Sequence, residues 1–260
     1  MLIVIAVTVF CATVLGSISG IGGGVIIKPV MDAVTSLSAS TISFLSGTTV
    51  LVMTVASLLR SRKGDVRIDR RGTYLALGGA FGGLLGKMLF SYISAAAPSS
   101  AFVSFVQNIF MVLLTIAVMV YCLFKDRVRA MDVQKPALCA AAGLGLGVMS
   151  SFLGIGGGPI NIMVLSWLFG MDTKTTALTS LYIIFFSQTV SFISTCITGL
   201  PPFEPLLLLL MAVLAVLGAT LGRTLSKKMD SRKVDVLFMC MLVIIIAISI
   251  YNTVRFGLAR

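Results

Sequence analysis

The pentapeptide GIGGG occurs twice in this chain, at Gly20–Gly24 and again at Gly154–Gly158. Each copy follows a long apolar run that contains many small residues. A second landmark follows each copy in the same order, because Gly47–Thr49 (GTT) corresponds to Leu178–Ser180 (LTS). One Gly-rich pentapeptide could arise by chance, whereas matched landmarks in one order indicate an internal duplication.

A third landmark supports the duplication. Gly82–Lys87 has the pattern GxxxGK, and Gly218–Arg223 has the pattern GxxxGR. The chain is therefore predicted to consist of two homologous transmembrane repeats, the first at 1–130 and the second at 131–260. Glycines four residues apart let two helices approach closely, so we interpret both GxxxG pairs as packing positions.

The composition indicates that lipid surrounds much of this chain. Of its 260 residues, 58% are hydrophobic and 11% are charged, against about 25% charged in an ordinary soluble domain. The apolar residues run for about 20 positions, the length of a helix that crosses ~30 Å of hydrocarbon, and they lack the alternation of a membrane barrel. The sequence predicts an all-α polytopic membrane protein with full spans at 41–59, 72–90, 103–124, 175–198, 205–223 and 236–254.

The net charge of +11 comes from Lys and Arg in the connections between spans. Six lie in Ser57–Arg71, four in Phe124–Pro136 and five in Gly222–Lys233, whereas Ser91–Ala101 and Cys196–Leu206 contain none. Basic connections belong on the cytoplasmic side of a membrane, so this charge predicts an orientation, and we expect no nucleic acid partner. Around the GxxxG span, the basic connection comes first in one half and second in the other. The halves are therefore predicted to be inverted.

For the two repeats to be inverted, the chain must cross the membrane an odd number of times between equivalent positions of the first and second repeat. This condition is met if the Gly-interrupted segments, Met1–Val30 and Ala137–Gly170, each enter the membrane and return to the same side. We therefore predict two inverted repeats with six full spans, two re-entrant Gly-interrupted segments and both termini outside. The alternative is eight transmembrane helices.

Several functional classes are disfavoured by what the sequence lacks. It contains no histidine, its five cysteines have no ligand-like spacing, and the acidic residues fall almost entirely in the connections, with none in mid-span. We therefore expect no metal site, no cofactor and no enzyme activity. The sequence also has no Walker motif, so ATP does not drive this chain directly.

The glycine triplets are the first candidate binding residues. Consecutive glycines in hydrocarbon forfeit helix propensity and leave the backbone bare. Unwound tips would present free amides at the start of a half-helix, an arrangement that suits an anion; the alternative is a tight packing bend. The candidates are Gly22, Gly23, Gly24, Gly156, Gly157 and Gly158.

Polar residues near the triplets are further candidates. Lys28 could pair with an anion or extend to the interface, and its equivalent in the second half is Ile162, beside Asn161. Gln107 and Asn108 lie near the start of a span, where we expect them to cap it. Hydroxyls at equivalent depth could bind substrate, or could bond only the preceding turn of their own helix. The remaining candidates are Asn161, Thr48, Thr49, Thr179, Ser180 and Gln188.

With these motifs, the chain resembles the sulfite exporter TauE/SafE family, also called the 4-toluene sulfonate uptake permease family. The resemblance rests on Gly20–Gly24 with Pro29, Gly47–Thr49 and Gly82–Lys87, together with their second-half counterparts. It implies a multi-pass permease of a bacterial or archaeal inner cell membrane that moves sulfite, sulfonates, sulfoacetate or related organic anions. The sequence departs from the family pattern at Leu178 and Pro159, so the two halves need not share binding equally.

We therefore expect the two repeats to form one transport domain that acts as a secondary transporter of a small anion. A proton or a cation could be coupled to that anion, and the sequence leaves a homo-oligomer open. An anion channel could share every feature above, and only steady unitary currents would separate it from a carrier. An intramembrane enzyme is disfavoured by the missing histidines and mid-span carboxylates.

Overall fold

The computed structural model describes residues 1–61 and 68–258, and within these ranges all regular structure is helical. Arg62, Lys63 and Arg67, which contribute to the predicted orientation, lie outside the described residues. The α-helices are α1 (Leu2–Ser19), α2 (Gly24–Val34), α3 (Ala39–Ser61), α4 (Arg70–Ala96), α5 (Ser100–Phe124), α6 (Pro136–Leu153), α7 (Pro159–Phe169), α8 (Thr173–Thr198), α9 (Pro205–Lys228) and α10 (Ser231–Leu258), with a short 3-10 helix at Lys125–Arg127.

The six predicted full spans are confirmed as α3, α4, α5, α8, α9 and α10. By length and apolar composition, eight of the described helices could cross a membrane, because α1 and α6 qualify with 18 residues each. A count of apolar helices therefore also fits the alternative of eight transmembrane helices. However, α1 and α6 are each followed by an 11-residue helix, α2 or α7, that runs back.

Contacts between helix ends define one face of the bundle. Lys125, just after α5, pairs with Asp235 near the start of α10. Thr173 Oγ1, at the start of α8, donates to the same carboxylate at 3.2 Å. We call this the basic face, because the helix ends and connections there contain most of the Lys and Arg residues.

The opposite face contains the other helix ends. At the starts of α3 and α5, Ala39 N–H donates to Ser100 Oγ at 2.8 Å. Thr41 Oγ1 of α3 donates to the Pro202 carbonyl, between α8 and α9, at 2.9 Å. We call this the neutral face, since its connections, 35–38, 97–99 and 199–204, contain no Lys or Arg.

Helices α6 and α7 form a hairpin that enters and leaves at the basic face, and we call it hairpin 2. Just before α6, Val133 N–H donates to the carbonyl of Leu168 near the end of α7 at 2.8 Å. Arg71, at the start of α4, donates to the Phe169 carbonyl at 3.4 Å. The two ends of hairpin 2 are therefore held together on one side of the membrane.

Helices α1 and α2 form the inverted counterpart, hairpin 1. A Cβ added to Gly218 would meet Thr13, and one added to Gly222 would meet Ser17, so α1 runs parallel to α9, away from the neutral face. Arg255 Nη1, at the end of α10, donates to two carbonyls in the last turn of α2 at 3.0 and 2.6 Å. Hairpin 1 thus returns to the neutral face, and the prediction of inverted repeats with re-entrant segments is confirmed.

Polar N-caps fix where three of the spans begin. Asp69 Oδ1 accepts from Gly72 N–H at 2.9 Å at α4, Ser99 Oγ accepts from Phe102 N–H at 3.2 Å at α5, and Asp172 caps α8. Partial burial works to raise the pKa of Asp69, but its hydrogen bonds from Arg71 and from the Gly72 backbone outweigh this and hold that pKa below its ordinary value. The capping carboxylate therefore stays ionised at neutral pH.

Glycines bring α4 and α6 into backbone contact. A Cβ on any of three α4 glycines would overlap a carbonyl of α6, and Gly143 and Gly147 of α6 meet α4 carbonyls in the same way. The interpretation of the GxxxG pairs as packing positions is confirmed, since Gly218 and Gly222 likewise pack against α1. The three α4 contacts are Gly78 with Ala140, Gly82 with Leu144 and Gly86 with Val148.

Candidate functional site

The tips of the two hairpins cross inside the molecule. Gly158 N–H donates to the Ile21 carbonyl at 3.0 Å. A Cβ on Gly24 would overlap the carbonyl of Ile155, and this contact is the same one with the halves exchanged. The crossing therefore lies on the pseudo-two-fold axis that relates the two repeats, at a depth where unwound backbone must be buried by protein.

Backbone conformation requires glycine at several positions of the crossing, of which Gly22 and Gly157 are examples. Gly22 has φ +84° and Gly157 has φ +102°, in the region that side-chain-bearing residues rarely adopt. Gly23, by contrast, has helical angles, φ −65° and ψ −20°. The predicted glycines are buried against the two hairpins and against α3 and α8, and their binding of a substrate stays a prediction.

A polar pocket lies beside the tip of hairpin 2, toward the neutral face. Its walls come from α3, α4, α8 and hairpin 2, and its free volume is about 20 Å³, which is room for about one water molecule. The pocket is therefore narrow in this conformation, since a small oxyanion needs more space than this. We call it the neutral-face pocket; its lining residues are Ser43, Phe44, Gly47, Thr48, Lys87, Phe90, Ser151, Gly154, Gln188, Ser191, Phe192 and Thr195.

Lys87 is the charged residue of the neutral-face pocket. Its Nζ lies 5.3 Å from the centroid of the Phe90 ring, and no salt bridge between described residues includes it. The Oγ atoms of Ser43 and Ser151 are buried without a hydrogen-bond partner among those residues. The pocket therefore combines a positive charge with free hydroxyl donors, which is the chemistry that recognises an anion.

Two of the predicted binding residues, Thr48 and Gln188, line the neutral-face pocket. Gln188 Nε2 donates to Ser150 Oγ at 3.1 Å, which ties α8 to the end of α6. A Cβ at Gly47 would lie 2.9 Å from Gln188 Oε1, so Gly47 leaves room for this amide. These residues join α3, α8 and hairpin 2 around one space.

The other predicted polar residues lie elsewhere. Thr49 Oγ1 donates to the Leu45 carbonyl of its own helix at 2.7 Å, and Thr179 is buried. Asn161 Nδ2 donates to Ser180 Oγ at 3.2 Å, and Ser180 Oγ donates to a carbonyl at the tip of hairpin 1 at 2.6 Å. The structure does not bring all these hydroxyls into one pocket, and their role in binding stays a prediction.

Lys28 lies in a buried ion pair. Its Nζ donates to Asp32 Oδ2 at 3.3 Å, and each residue is 2% exposed. The sequence-based placement of acidic residues in the connections is wrong for Asp32, because α2 extends past Val30 and carries it into the interior. The spacing of four residues between Lys28 and Asp32 could have indicated the pair.

The expectation that Gln107 and Asn108 cap a span is also wrong. Ser99 is the N-cap of α5, and both amides lie two turns inside the helix. Gln107 Nε2 donates to the Phe152 carbonyl at 2.6 Å, and Asn108 Nδ2 donates to Asp32 Oδ2 at 3.2 Å. These partners lie 45 and 76 residues away in the sequence, so local spacing gave no signal for them.

Arg223 is the second-half equivalent of Lys87. It is 9% exposed, its Nη1 donates to the Ser17 carbonyl at 3.4 Å, and its Nε has no partner among the described residues. Ser17 Oγ lies 2.9 Å from Ser57 Oγ, and these serines correspond to Ser151 and Gln188, which both line the neutral-face pocket. The sequence signal for Lys87 and Arg223 was the basic residue that follows each GxxxG motif. The interpretation of these motifs as packing positions did not use that signal.

These features define a multi-pass membrane transport protein with inverted repeats. The chain belongs to the sulfite exporter TauE/SafE family, whose model matches residues 5–249, so the family recognised in the sequence is confirmed. It is 26% identical to the probable membrane transporter protein YunE of Bacillus subtilis (strain 168) over 266 aligned residues, which cover 94% of this chain and 95% of that protein. No solved structure matches this chain.

Proposed function

We propose that this membrane transporter is a secondary permease of small sulfur-containing or organic anions, such as sulfite, sulfonates or sulfoacetate. The observation that carries the proposal is Lys87 in the neutral-face pocket, beside the unpartnered hydroxyls of Ser43 and Ser151. A half-buried ammonium among hydroxyl donors binds an anion more strongly than a neutral solute. The family and its Bacillus relative support transport but leave the solute open.

The narrow pocket favours a carrier over the alternative of an anion channel. A free volume of about 20 Å³ cannot hold a hydrated anion, so substrate entry requires the pocket to widen. Phe203, in the connection on the neutral face, packs on Phe44 with ring centroids 5.0 Å apart, and Phe44 in turn stacks on Phe192. We expect this aromatic cluster to separate the pocket from the neutral face until substrate binds.

The positive-inside rule assigns the basic face to the cytoplasm, which puts the neutral-face pocket and both termini outside. With the family resemblance, this orientation supports a location in the inner cell membrane. Lys87 then receives the anion from outside, and Arg223 occupies the equivalent position near the cytoplasmic side. If the two hairpins alternate between two conformations that are related by the inverted symmetry of the repeats, Lys87 and Arg223 become accessible in turn, each from its own side.

Counterflow in proteoliposomes tests the proposal. Vesicles that contain the purified protein are loaded with unlabelled solute, and the entry of radiolabelled sulfite, sulfoacetate, taurine or acetate is followed from outside. We expect exchange of sulfite or sulfoacetate and little exchange of taurine, whose ammonium group Lys87 would repel. Lys87→Met should lower the exchange, while Lys87→Arg should retain most of it. Failure of every anion to exchange would refute the proposal, and steady unitary currents would favour the channel.

A further inference from the structure

A buried polar cluster lies between α2, α5 and α10, away from the neutral-face pocket. Asp32 Oδ2 accepts from Lys28 Nζ at 3.3 Å and from Asn108 Nδ2 at 3.2 Å. Asn252 Nδ2 of α10 donates to the Pro29 carbonyl at 2.7 Å and to Asn108 Oδ1 at 3.4 Å. We call Lys28, Asp32, Gln107, Asn108 and Asn252 the Lys28–Asp32 cluster.

Three acceptor oxygens of the cluster are unpartnered. Asp32 Oδ1, Gln107 Oε1 and Asn252 Oδ1 are all buried and have no hydrogen-bond partner among the described residues. Two of these residues, Asp32 and Gln107, line a cavity of about 10 Å³ that Lys28 and Asn108 also line, a volume at the lower limit for one water molecule. Unpaired buried acceptors are costly, and a bound proton or water would satisfy them.

A buried ion pair is poor evidence for a structural role. Desolvation of both charges offsets much of their attraction, and well-packed apolar residues of similar volume are often at least as stabilising. Ionisable residues inside membrane bundles commonly belong to ion pathways or proton relays. Lys28 and Asp32 lie on α2, which is a short arm of a hairpin and not a full span. The cluster therefore has a physical cost that a function would explain.

The cluster touches the tip of hairpin 2 on the side away from the substrate pocket. Gln107 Nε2 donates to the Phe152 carbonyl at 2.6 Å. The next two residues separate the cavities, because Leu153 lines the cluster cavity and Gly154 lines the neutral-face pocket. A change in the cluster can therefore reach the pocket through three consecutive residues of one hairpin tip.

We propose that Asp32 is the proton-binding site that couples anion transport to a proton gradient, an inference that rests on the proposed anion transport. A proton from the neutral face binds Asp32 Oδ1, and the carboxylate becomes a carboxylic acid while Lys28 keeps its ammonium. The cluster then changes from net neutral to a net charge of +1, which the charge of one transported monoanion balances. Proton and anion leave together at the opposite face, so the two are symported and each raises the affinity for the other.

The surroundings of Asp32 leave room for a proton but not for a metal cation. Lys28 lies in the same helix, and Arg255 Nη1 of α10 donates to the Asp32 carbonyl at 3.0 Å. Among the described residues, α5 faces Asp32 with the amides of Gln107 and Asn108, α1 contains no charged residue, and the charged residue of α3, Arg60, lies at the far end of that helix. These cations repel Na⁺ and a proton alike, but a proton needs no room beyond the free Asp32 Oδ1, whereas Na⁺ needs a shell of ligands that a cavity of about 10 Å³ does not hold.

A pH gradient across proteoliposomes tests the inference. With an alkaline interior, wild type should accumulate radiolabelled sulfite about tenfold per pH unit, as expected for one proton per monoanion. Asp32→Asn should lose this accumulation and keep sulfite counterflow within about threefold of wild type. A pH-sensitive dye trapped inside should report proton entry with sulfite in wild type and none in the variant. Glu204→Gln, which removes an exposed carboxylate at the same face, is the matched control and should behave as wild type.

A second variant guards against misfolding, because Asp32→Asn leaves Lys28 buried without a counter-ion. The double variant Lys28→Met/Asp32→Asn removes both charges and should also exchange sulfite without responding to the pH gradient. Accumulation that persists in both variants would overturn the inference, as would accumulation driven by a sodium gradient at equal pH. Absence of counterflow in wild type would instead refute the proposed anion transport.

Discussion

Lys87 on α4 and Arg223 on α9 occupy equivalent positions of the two repeats and lie toward opposite faces of the membrane. Neither is in a salt bridge with a described carboxylate. Each is therefore a positive charge without a described counter-ion, and under the proposed function each would meet the anion that arrives from its own side.

The first prediction is that neutralising these residues has one-sided effects. Lys87→Gln should weaken anion binding from the neutral face by about 10- to 100-fold, the loss of ~1.5–3 kcal/mol for a bond to a charged group. Binding from the basic face should change by less than about threefold. Arg223→Gln should give the reverse pattern.

Inhibition of transport by unlabelled sulfite, measured in right-side-out and inside-out vesicles, separates the two sides. Lys87→Arg and Arg223→Lys keep the charge and serve as controls. An equal loss from both sides in either neutral variant would contradict the assignment of one cation to each face.

The second prediction concerns free and occupied hydroxyls. Ser151 Oγ is unpartnered at the neutral-face pocket, whereas Thr49 Oγ1 already donates to the Leu45 carbonyl. Ser151→Ala should therefore weaken sulfite binding by about tenfold, and Thr49→Val should leave it nearly unchanged. Titration of transport with sulfite measures both, and a stronger effect of Thr49→Val would return that hydroxyl to the binding site.

The third prediction compares two glycines of the crossing tips. Gly157 has φ +102°, and a Cβ there would lie 2.6 Å from Asn161 Nδ2. Gly23 has helical angles, and its Cβ would lie 3.1 Å from the Ala12 carbonyl. Gly157→Ala should abolish transport through backbone strain, and Gly23→Ala should retain part of it. Equal transport by both variants in vesicles with equal protein content would show that the tip tolerates a side chain.

Much of the fold was accessible from the sequence because it depends on local chemistry. Hydropathy located the six spans, and the order of basic and neutral connections gave the inversion. The site was less accessible, since Asp32, Asn108 and Asn252 come from three different helices. Only the packing of α2 and α5 against α10 brings them together. Lys87 and Arg223 were visible in the repeat, but their lack of a carboxylate partner is a property of the folded chain.

The fourth prediction tests the α4–α6 contact. A Cβ on Gly82 would overlap the Leu144 carbonyl, whereas a Cβ on Gly145 of α6 would have no neighbouring atom within 4 Å. Gly82→Ala should lower the melting temperature in detergent markedly, by separating the two helices. Gly145→Ala should be neutral or stabilise the protein by up to about 1 kcal/mol, because alanine is the better helix former. Equal melting temperatures of the two variants would contradict the close packing.

The fifth prediction fixes the orientation. Ala96 lies at the neutral face and Lys233 at the basic face, and both are exposed. In a background without the native cysteines, a membrane-impermeant maleimide should label Ala96→Cys in intact cells and Lys233→Cys only after permeabilisation. The opposite pattern would invert the assignment of the faces, and labelling of both in intact cells would contradict the topology.

The contact between α4 and α6 has a mechanical consequence. Backbone lies on backbone from Gly78 to Gly86, so no side chain stands between the helices to change rotamer or to let them slide. We expect the pair to move as one rigid unit, with Lys87 and the neutral-face pocket near one end and Cys139 near the other. Under the proposed function, a movement that anion binding causes at the neutral face would reach the basic face through this rigid pair, so that binding on one side of the bilayer opens the other.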